Sequence, residues 1–319
     1  MAVRGISGVE GQSAPSGEGH VLCRCGAAEW PLRGRMASVS VCAGSRRARR
    51  TTRDNVTAAR YADPNEVSSY VTSYAGWGPT ARYRQSRLHL VERVLRARAG
   101  GDLLDVGCGP GEMVRRLRDA RAGDFRITAC DRSPAMIEAV AERVEQSDGL
   151  RLAVASIEEM PFEDGEFDVV LAMGVLEYVD VRRSLHEIAR VVRRDGLVVL
   201  TMLNPLSPYR IVEWFVYWPA LRLLGRVERL LRVPDGRGHG VAKSGINAVT
   251  VARLRRLMRS EGSLPQELMY YDVTALLPPF DKLIRRWTTR WRSDLETTVR
   301  TGARGSLGTG YLLTARRSD

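Results

Sequence analysis

The sequence has few of the features that mark a membrane, secreted or metal-binding protein. No apolar run approaches the roughly 18 residues that a membrane-spanning helix needs, and the N-terminus lacks the apolar segment of a secretory signal. Its five cysteines are scattered, and no pair has the spacing of a zinc site. We therefore expect a cytoplasmic protein with reduced thiols and predict no metal site.

Lysine is almost absent, so arginine carries nearly all of the positive charge. Lys243 and Lys282 are the only two lysines, and the formal net charge is +12. This skew is typical of coding bias in a GC-rich genome as well as of polyanion binding. We interpret it as a solvated basic surface and expect no nucleic-acid partner. Apolar residues make up 44% of the chain, which is typical of a globular protein with a sizeable core.

The most informative stretch joins an apolar run to a glycine-rich loop. The run from 103 to 106 predicts a buried strand, Gly107, Gly109 and Gly111 follow, and a helical pattern begins near Met113. Strand, glycine loop and helix together are typical of the first unit of a nucleotide-binding βαβ fold. Glycine allows the backbone to approach a ligand, and the helix N-terminus offers free N–H groups.

Two cofactor classes fit this spacing, a dinucleotide and S-adenosylmethionine (SAM). Asp105 ends the predicted strand, and a carboxylate there disfavours a pyrophosphate and suits a cationic ligand. The dinucleotide fingerprint G-x-G-x-x-G also fails, because its third glycine would fall at Glu112. A nicotinamide-dependent Rossmann oxidoreductase and a non-catalytic binding protein of the same fold remain the alternatives.

The run from Asp105 to Gly111 resembles motif I of the class I SAM-dependent methyltransferases, in particular a methyltransferase type 11-like domain. The next predicted strand ends at Asp131, and the run from Asp131 to Met136 is similar to the second cofactor motif of that family. Predicted strands at 150–155, 169–172 and 197–202 follow in order. The resemblance therefore covers residues 100–203.

The resemblance implies a Rossmann-like α/β fold with a seven-stranded, mostly parallel sheet, helices on both faces, and helical insertions that form a cap. It implies a methyltransferase domain over residues 56–319, with insertions at about 204–248 and 274–308. The implied activity is SAM-dependent methyl transfer to a small-molecule or lipid-like acceptor. The implied cofactor-binding residues are Asp105, Gly107, Gly109, Gly111, Asp131, Arg132, Met136, Ser156, Ile157 and Met173. Ser156 departs from the Asp that is frequent at this position, and Glu158 is an alternative for its contact.

Two helices are predicted before motif I, within residues 56–99. In the family such helices often fold over the cofactor and substrate. Tyr70, Tyr74, Trp77 and Arg84 are therefore candidates for the pocket wall, and ordinary aromatic packing is the alternative for each.

The first insertion contains the densest cluster of large apolar side chains in the chain. We hypothesise that Tyr209 to Leu224 is a lid over an apolar acceptor, and a buried structural cap is the alternative. Residues 209–232 are also a candidate for peripheral membrane contact, because arginines follow the apolar run. His239, in a glycine-rich loop beside the insertion, is the predicted catalytic base. The other candidates for a base are His186, Glu177, Tyr209 and Tyr271.

Residues 1–55 show no hydrophobic period and contain many Gly, Ser and Arg residues. We predict a disordered basic tail that is dispensable for folding.

Overall fold

The computed structural model describes residues 27–32, 35–41, 64–75, 79–145, 149–230, 247–273 and 303–318. These residues form one twisted sheet with helices on both faces. The strands are β1 (Ala27–Leu32), β2 (Arg35–Val41), β3 (Gly101–Val106), β4 (Phe125–Asp131), β5 (Leu150–Val154), β6 (Phe167–Met173), β7 (Val192–Leu203), β8 (Ser263–Val273) and β9 (Gly308–Arg317). Their order across the sheet is β1-β2-β5-β4-β3-β6-β7-β9-β8.

Most of the helices begin at a proline or after a residue whose side chain caps the first turn. They are α1 (Pro64–Ala75), α2 (Pro79–Leu95), α3 (Glu112–Ala120), α4 (Pro134–Arg143), α5 (Val181–Val191), α6 (Pro208–Val212), α7 (Trp218–Leu230) and α8 (Val251–Ser260). Ser133, Asp180 and Thr250 accept backbone N–H groups in the first turns of α4, α5 and α8. A π-helical turn, Glu213–Tyr217, joins α6 to α7. No helix in the described ranges combines the length and the apolar character needed to cross a membrane.

Strands β3 to β9 form the predicted seven-stranded, mostly parallel sheet, so the fold class is confirmed. The two faces alternate along each strand as a period of two requires. Leu103 and Leu171 belong to one core, which includes side chains of α3 and α4. Leu104 and Val170 belong to the core that includes side chains of α5 and α8. β9 is antiparallel to both β7 and β8, which distinguishes this sheet from the parallel six-stranded dinucleotide fold.

The N-terminal segment contains a hairpin that the sequence analysis did not predict. β1 and β2 pair antiparallel, and Val39–Val41 of β2 pair in parallel with Leu152–Val154 of β5. The prediction of a disordered tail is therefore wrong for residues 27–32 and 35–41, and the rest of that tail lies outside the described residues. A two-stranded hairpin is marginal alone and is stabilised by pairing with an open sheet edge. That edge is supplied by a strand more than a hundred residues away along the chain, which no local pattern reveals.

The chain order positions the site. β3 lies between β4, which follows it directly, and β6, which comes after the chain has crossed to the other side of the sheet. Ligands of open α/β sheets bind outside the carboxyl ends of strands at such a switch point. The carboxyl ends of β3, β4 and β6 are therefore where a ligand site is expected.

Deleting residues 1–41 should destabilise the domain without weakening its cofactor site. The deletion leaves β5 as an open edge and removes backbone hydrogen bonds worth about 0.5–1.5 kcal/mol each. A loss of 1 kcal/mol lowers the melting temperature of a domain of this size by about 2–4 °C, so we expect a fall of about 3 °C or more by calorimetry. Cofactor affinity serves as the control. An unchanged melting temperature would mean that the hairpin contributes nothing to stability.

Candidate active site

A cavity of about 470 Å³ opens at the carboxyl ends of the parallel strands. One half is lined by the loops after β3 and β4, and the other half by α2, the turn after β6, and α6. The first half contains the glycine loop and the second motif. The second half contains charged and phenolic side chains.

The glycine loop after β3 is fixed against β4 by its own backbone. The N–H groups of Gly107 and Cys108 donate to the carbonyl oxygen of Cys130 at 2.7 and 3.1 Å. Gly107 has φ +70°, and a Cβ atom there would lie 2.7 Å from Val175. Only glycine fits this combination of left-handed backbone and close contact. Gly107 therefore allows the loop to close tightly at the cavity wall.

Gly111 has a different role from the one predicted. It has φ +74° at the start of α3, and a Cβ atom would lie 2.9 Å from Val140 of α4. It does not line the cavity. Its structural role is to let the loop pack against α4, so a cofactor contact for Gly111 stays only a prediction.

Asp131 connects the two loops of the first half. Its Oδ2 accepts the Gly109 N–H at 3.0 Å, and its Oδ1 accepts the Ser133 N–H at 2.9 Å. Burial raises the pKa of this carboxyl above its ordinary value, and the two backbone donors act in the opposite direction. The side chain faces the cavity with its orientation fixed.

Asp105 is fully buried at the tip of β3, beneath the glycine loop. Neither carboxyl oxygen has a hydrogen-bond partner among the residues that the structure describes. Burial raises the pKa of Asp105 to about 7, the positive charge of Arg87 opposes this rise, and Asp131 adds to it. A buried carboxyl without a partner costs free energy, so this group is suited to a cationic ligand.

The remaining predicted cofactor residues divide into two sets. Arg132, Met136, Ile157 and Met173 line the cavity. Ser156 does not line it: its Oγ accepts the Glu158 N–H at 3.3 Å. The predicted base, His239, lies outside the described residues.

His186, another candidate base, is on α5. Its side chain is 70% exposed and its Nδ1 lies 3.1 Å from Glu261. It is absent from the cavity wall, so the structure does not place His186 at the site.

The helices before motif I do cover the glycine loop. Tyr70 of α1 lies close to Gly109, 3.7 Å from the position of a Cβ atom there. The guanidinium carbon of Arg84 on α2 lies 4.0 Å from the centre of the Tyr70 ring and 4.9 Å from that of Tyr74. Tyr70 and Arg84 line the cavity as expected, and Tyr74 is buried behind them. Trp77 lies outside the described residues.

Sequence reasoning missed several side chains of the second half of the cavity. They are Thr80, Tyr83, Arg87, Arg210, Glu213 and Asp272. Tyr83 and Arg87 stand one turn apart on α2, and this i, i+4 spacing beside Arg84 is the one local signal that marked a shared face. Asp272 ends β8, and only the antiparallel return of that strand brings it to the cavity.

Glu177 lies in the 3₁₀ turn that follows β6 and faces the cavity. Its Oε1 accepts the Leu203 N–H at 2.8 Å. Its backbone carbonyl oxygen accepts the Asn247 N–H at 2.7 Å. Burial raises the pKa of Glu177 to about 7, although the Leu203 N–H, Arg87 and Arg210 favour the carboxylate. The group is held rigidly and changes charge near neutral pH.

The first insertion contributes polar side chains to the cavity, which corrects the expectation of an apolar lid. Tyr209, Arg210 and Glu213 line the wall, and Arg210 forms an ion pair with Glu213 at 2.5 Å. The aromatic cluster Trp214, Phe215, Tyr217 and Trp218 does not line it. Phe215 is 75% exposed and lies on the outer face of the helical segment.

Known proteins with similar sequences include several methyltransferases. Residues 104–200 match the family model described as a methyltransferase domain. The ubiquinone/menaquinone biosynthesis C-methyltransferase UbiE of Geotalea uraniireducens is 31% identical over 137 residues, which are 41% of this chain and 58% of that protein. The 27-O-demethylrifamycin SV methyltransferase of Amycolatopsis mediterranei is 30% identical over 159 residues, which are 43% of this chain and 58% of that protein. The chain spans about half the length of the curated relatives it matches.

A solved structure shares the fold. A SAM-dependent methyltransferase from Thermotoga maritima, described as a possible histamine N-methyltransferase, superposes with a TM-score of 0.51 at 16% identity. The superposition covers 80% of this chain and 98% of that one. Residues 104–200 therefore match a methyltransferase domain, and the chain shares its fold with a solved SAM-dependent methyltransferase.

Proposed function

We propose that this protein transfers a methyl group from SAM to a small-molecule acceptor. The observation that carries the proposal is Asp105, a buried carboxyl at the tip of β3 that accepts no hydrogen bond from the residues that the structure describes. SAM carries an ammonium group and a sulfonium group. The ammonium group would give the Asp105 carboxylate a positively charged hydrogen-bond donor. A dinucleotide, with its negative pyrophosphate, would make the burial of Asp105 more costly.

The residues of the first half of the cavity fit this cofactor. Asp105, which is fully buried at the tip of β3 and is not part of the cavity lining, would balance the charge of the ammonium group, and Asp131 would accept hydrogen bonds from ribose hydroxyls. Met136 and Ile157 provide apolar surface for the adenine, and the backbone near Met173 would face the methionine portion. When bound, SAM supplies an activated methyl group, so the protein's main contribution is to position the acceptor and exclude water.

The second half of the cavity favours an acceptor with polar groups. Tyr83, Arg87, Glu177 and Arg210 offer hydrogen bonds and charge there. Two curated relatives carry names that specify quinone and rifamycin methylation, which supports a small organic acceptor as the class.

A separate observation supports peripheral membrane contact through residues 209–232. Large apolar side chains are exposed on the outer side of α6, the π turn and α7, and they are Ile211, Phe215, Val216, Leu223 and Leu224. Arg222 and Arg226 are exposed among them. Apolar side chains interleaved with arginine suit the headgroup region of an anionic lipid surface. The same helical segment forms a wall of the cavity through Arg210, so contact with lipid would bring the cavity close to a lipid-like acceptor.

Replacing Asp131→Ala should weaken cofactor binding. The variant loses acceptor atoms for the ribose hydroxyls, each worth roughly 1–3 kcal/mol when a buried partner is left unpaired, so affinity for SAM should fall at least fivefold. Isothermal titration calorimetry measures this, with Asp119→Ala on the exposed side of α3 as control. Unchanged affinity in a folded Asp131→Ala protein would remove Asp131 from the site.

The affinity for SAM should depend on the charge of Asp105. Burial raises its pKa to about 7, so below that pH the carboxyl must lose a proton before it can balance an ammonium group. We expect affinity to increase by up to tenfold per pH unit from pH 5.5 to 7 and to level off above. Asp105→Asn should bind more weakly and show a flatter profile. Equal slopes for the wild type and Asp105→Asn would contradict the assignment.

The exposed face of α6 and α7 should bind anionic vesicles. Sedimentation with phosphatidylglycerol vesicles should recover the protein, and phosphatidylcholine vesicles should recover much less. The double replacement Phe215→Ser and Val216→Ser should lower partitioning at least tenfold, because each buried apolar side chain contributes roughly 1.5–3 kcal/mol. Leu264→Ser, an exposed leucine on β8, is the matched control. Equal partitioning of the double variant and the control would reject the surface.

A further inference from the structure

Among the described residues that line the second half of the cavity, one carboxyl group forms no salt bridge. Of the other carboxyl groups there, Glu213 forms an ion pair with Arg210. Asp272 accepts from Arg82 and from Thr309. Glu177 has no salt-bridge partner among the described residues, and its recorded side-chain hydrogen bond comes from a backbone N–H. It is therefore available to a ligand.

Glu177 is also held in a defined position. The Leu203 N–H fixes one of its carboxyl oxygens, and the Asn247 N–H fixes its backbone. Both donors come from segments next to the cavity, so the second oxygen has little freedom. A proton acceptor must be positioned within hydrogen-bond reach of the proton it removes, and this rigidity meets that condition.

The surroundings of Glu177 act on its pKa in opposite directions. Arg87 on α2 and Arg210 on α6 favour the carboxylate, whereas burial favours the neutral acid. The phenolic groups whose charges interact with Glu177 are Tyr83 on α2, Tyr271 on β8 and Tyr311 on β9. Burial raises the pKa of each of these phenols well above its ordinary value, so they stay neutral at physiological pH. Glu177 is then the group that can exchange a proton there.

We propose that Glu177 is the general base of the reaction, and that the acceptor's nucleophile is therefore a hydroxyl or amine group that must lose a proton. This inference rests on the proposed methyl transfer. The acceptor's oxygen or nitrogen forms a bond to the methyl carbon while the carbon–sulfur bond breaks, and the electron pair of that bond stays on sulfur. The acceptor's proton moves to the free carboxyl oxygen of Glu177 and is later released to water. An acceptor that reacts as a preformed thiolate would not need this group.

The first experiment measures methyl transfer from radiolabelled SAM to a panel of four probes. The probes are 1,4-naphthohydroquinone, 4-hydroxybenzoate, benzylamine and thiophenol. At saturating SAM, kcat/KM of the wild type with a hydroxyl probe should rise tenfold per pH unit up to about pH 7 and then level off, whereas with benzylamine the rise should continue until the ammonium group of the probe has ionised. Glu177→Gln keeps an oxygen for the Leu203 N–H, so it should fold, lose at least 100-fold in kcat and lose the limb of the profile.

Two further variants make this result specific. Glu112→Gln removes another buried carboxyl, which is ion-paired with Arg115 and Arg143 away from the cavity, and it should keep the pH limb. His239→Gln tests the rival base from the loop. If His239→Gln loses the limb while Glu177→Gln keeps it, or if thiophenol is the only probe methylated, the proposal is overturned.

The second experiment does not depend on activity or on the cofactor. The folded-state pKa of Glu177 is raised from its ordinary 4.5 to about 7, so the folded state binds an extra proton between these values. The free energy of unfolding of the wild type should therefore decrease as pH rises from 4.5 to 7, because the proton bound by Glu177 in the folded state is lost over this range. The melting temperature of Glu177→Gln minus that of the wild type should increase across this window and stay constant above it.

The two experiments separate the two proposals. A flat difference in melting temperature from pH 4.5 to 8 would show that Glu177 does not titrate near neutrality, and would overturn the base. A protein that shows the step but binds no SAM would reject the proposed function and, with it, the catalytic role of Glu177. A protein that binds SAM and methylates a hydroxyl or amine probe with the pH limb intact in Glu177→Gln would reject the base alone.

Discussion

The burial of carboxyl groups at the carboxyl ends of parallel strands is the constraint on which this site depends. Asp105 is the penultimate residue of β3, Asp131 ends β4, and Glu177 follows β6. Each is removed from water by the helices and loops above the sheet, and burial raises the pKa of each. Their hydrogen-bond partners differ: Asp131 orients two loops, Glu177 is fixed at one oxygen, and Asp105 accepts no hydrogen bond from the residues that the structure describes. A single sheet edge thereby provides carboxyl groups with three different environments.

The helix before motif I is the second determinant of the cavity. A buried pair, Arg82 with Asp272, ties α2 to the end of β8, and Thr309 of β9 donates to the same carboxyl group. Breaking one partner of such a pair would leave an unpaired buried charge, which is strongly destabilising. This contact places Tyr83 and Arg87 over the sheet edge. The acceptor half of the cavity is therefore built by the packing of α2 against the antiparallel strands.

The first insertion has two faces with different chemistry. Its inner face brings Tyr209, Arg210 and Glu213 to the cavity, and its outer face exposes Phe215 and Leu223. A run of large apolar residues in the sequence suggested a lid with aromatic rings over the acceptor. In the folded chain the polar residues of this segment line the cavity. The rings of Trp214, Phe215, Tyr217 and Trp218 do not. Composition alone does not fix which face of a helix meets the domain.

The sequence by itself determined the strand, glycine loop and acidic strand ends, because these depend on local patterns of apolar residues, glycine and capping side chains. It also determined that Asp105, Gly107, Gly109 and Asp131 act in one region, since successive parallel strands end at the same edge. Only the tertiary structure decided that Val39–Val41 pair with β5, that Asp272 reaches the cavity, and that Gly111 packs against Val140 of α4. Each of these depends on segments far apart in the chain, and the free energy that brings them together comes from packing and strand pairing that no local pattern encodes.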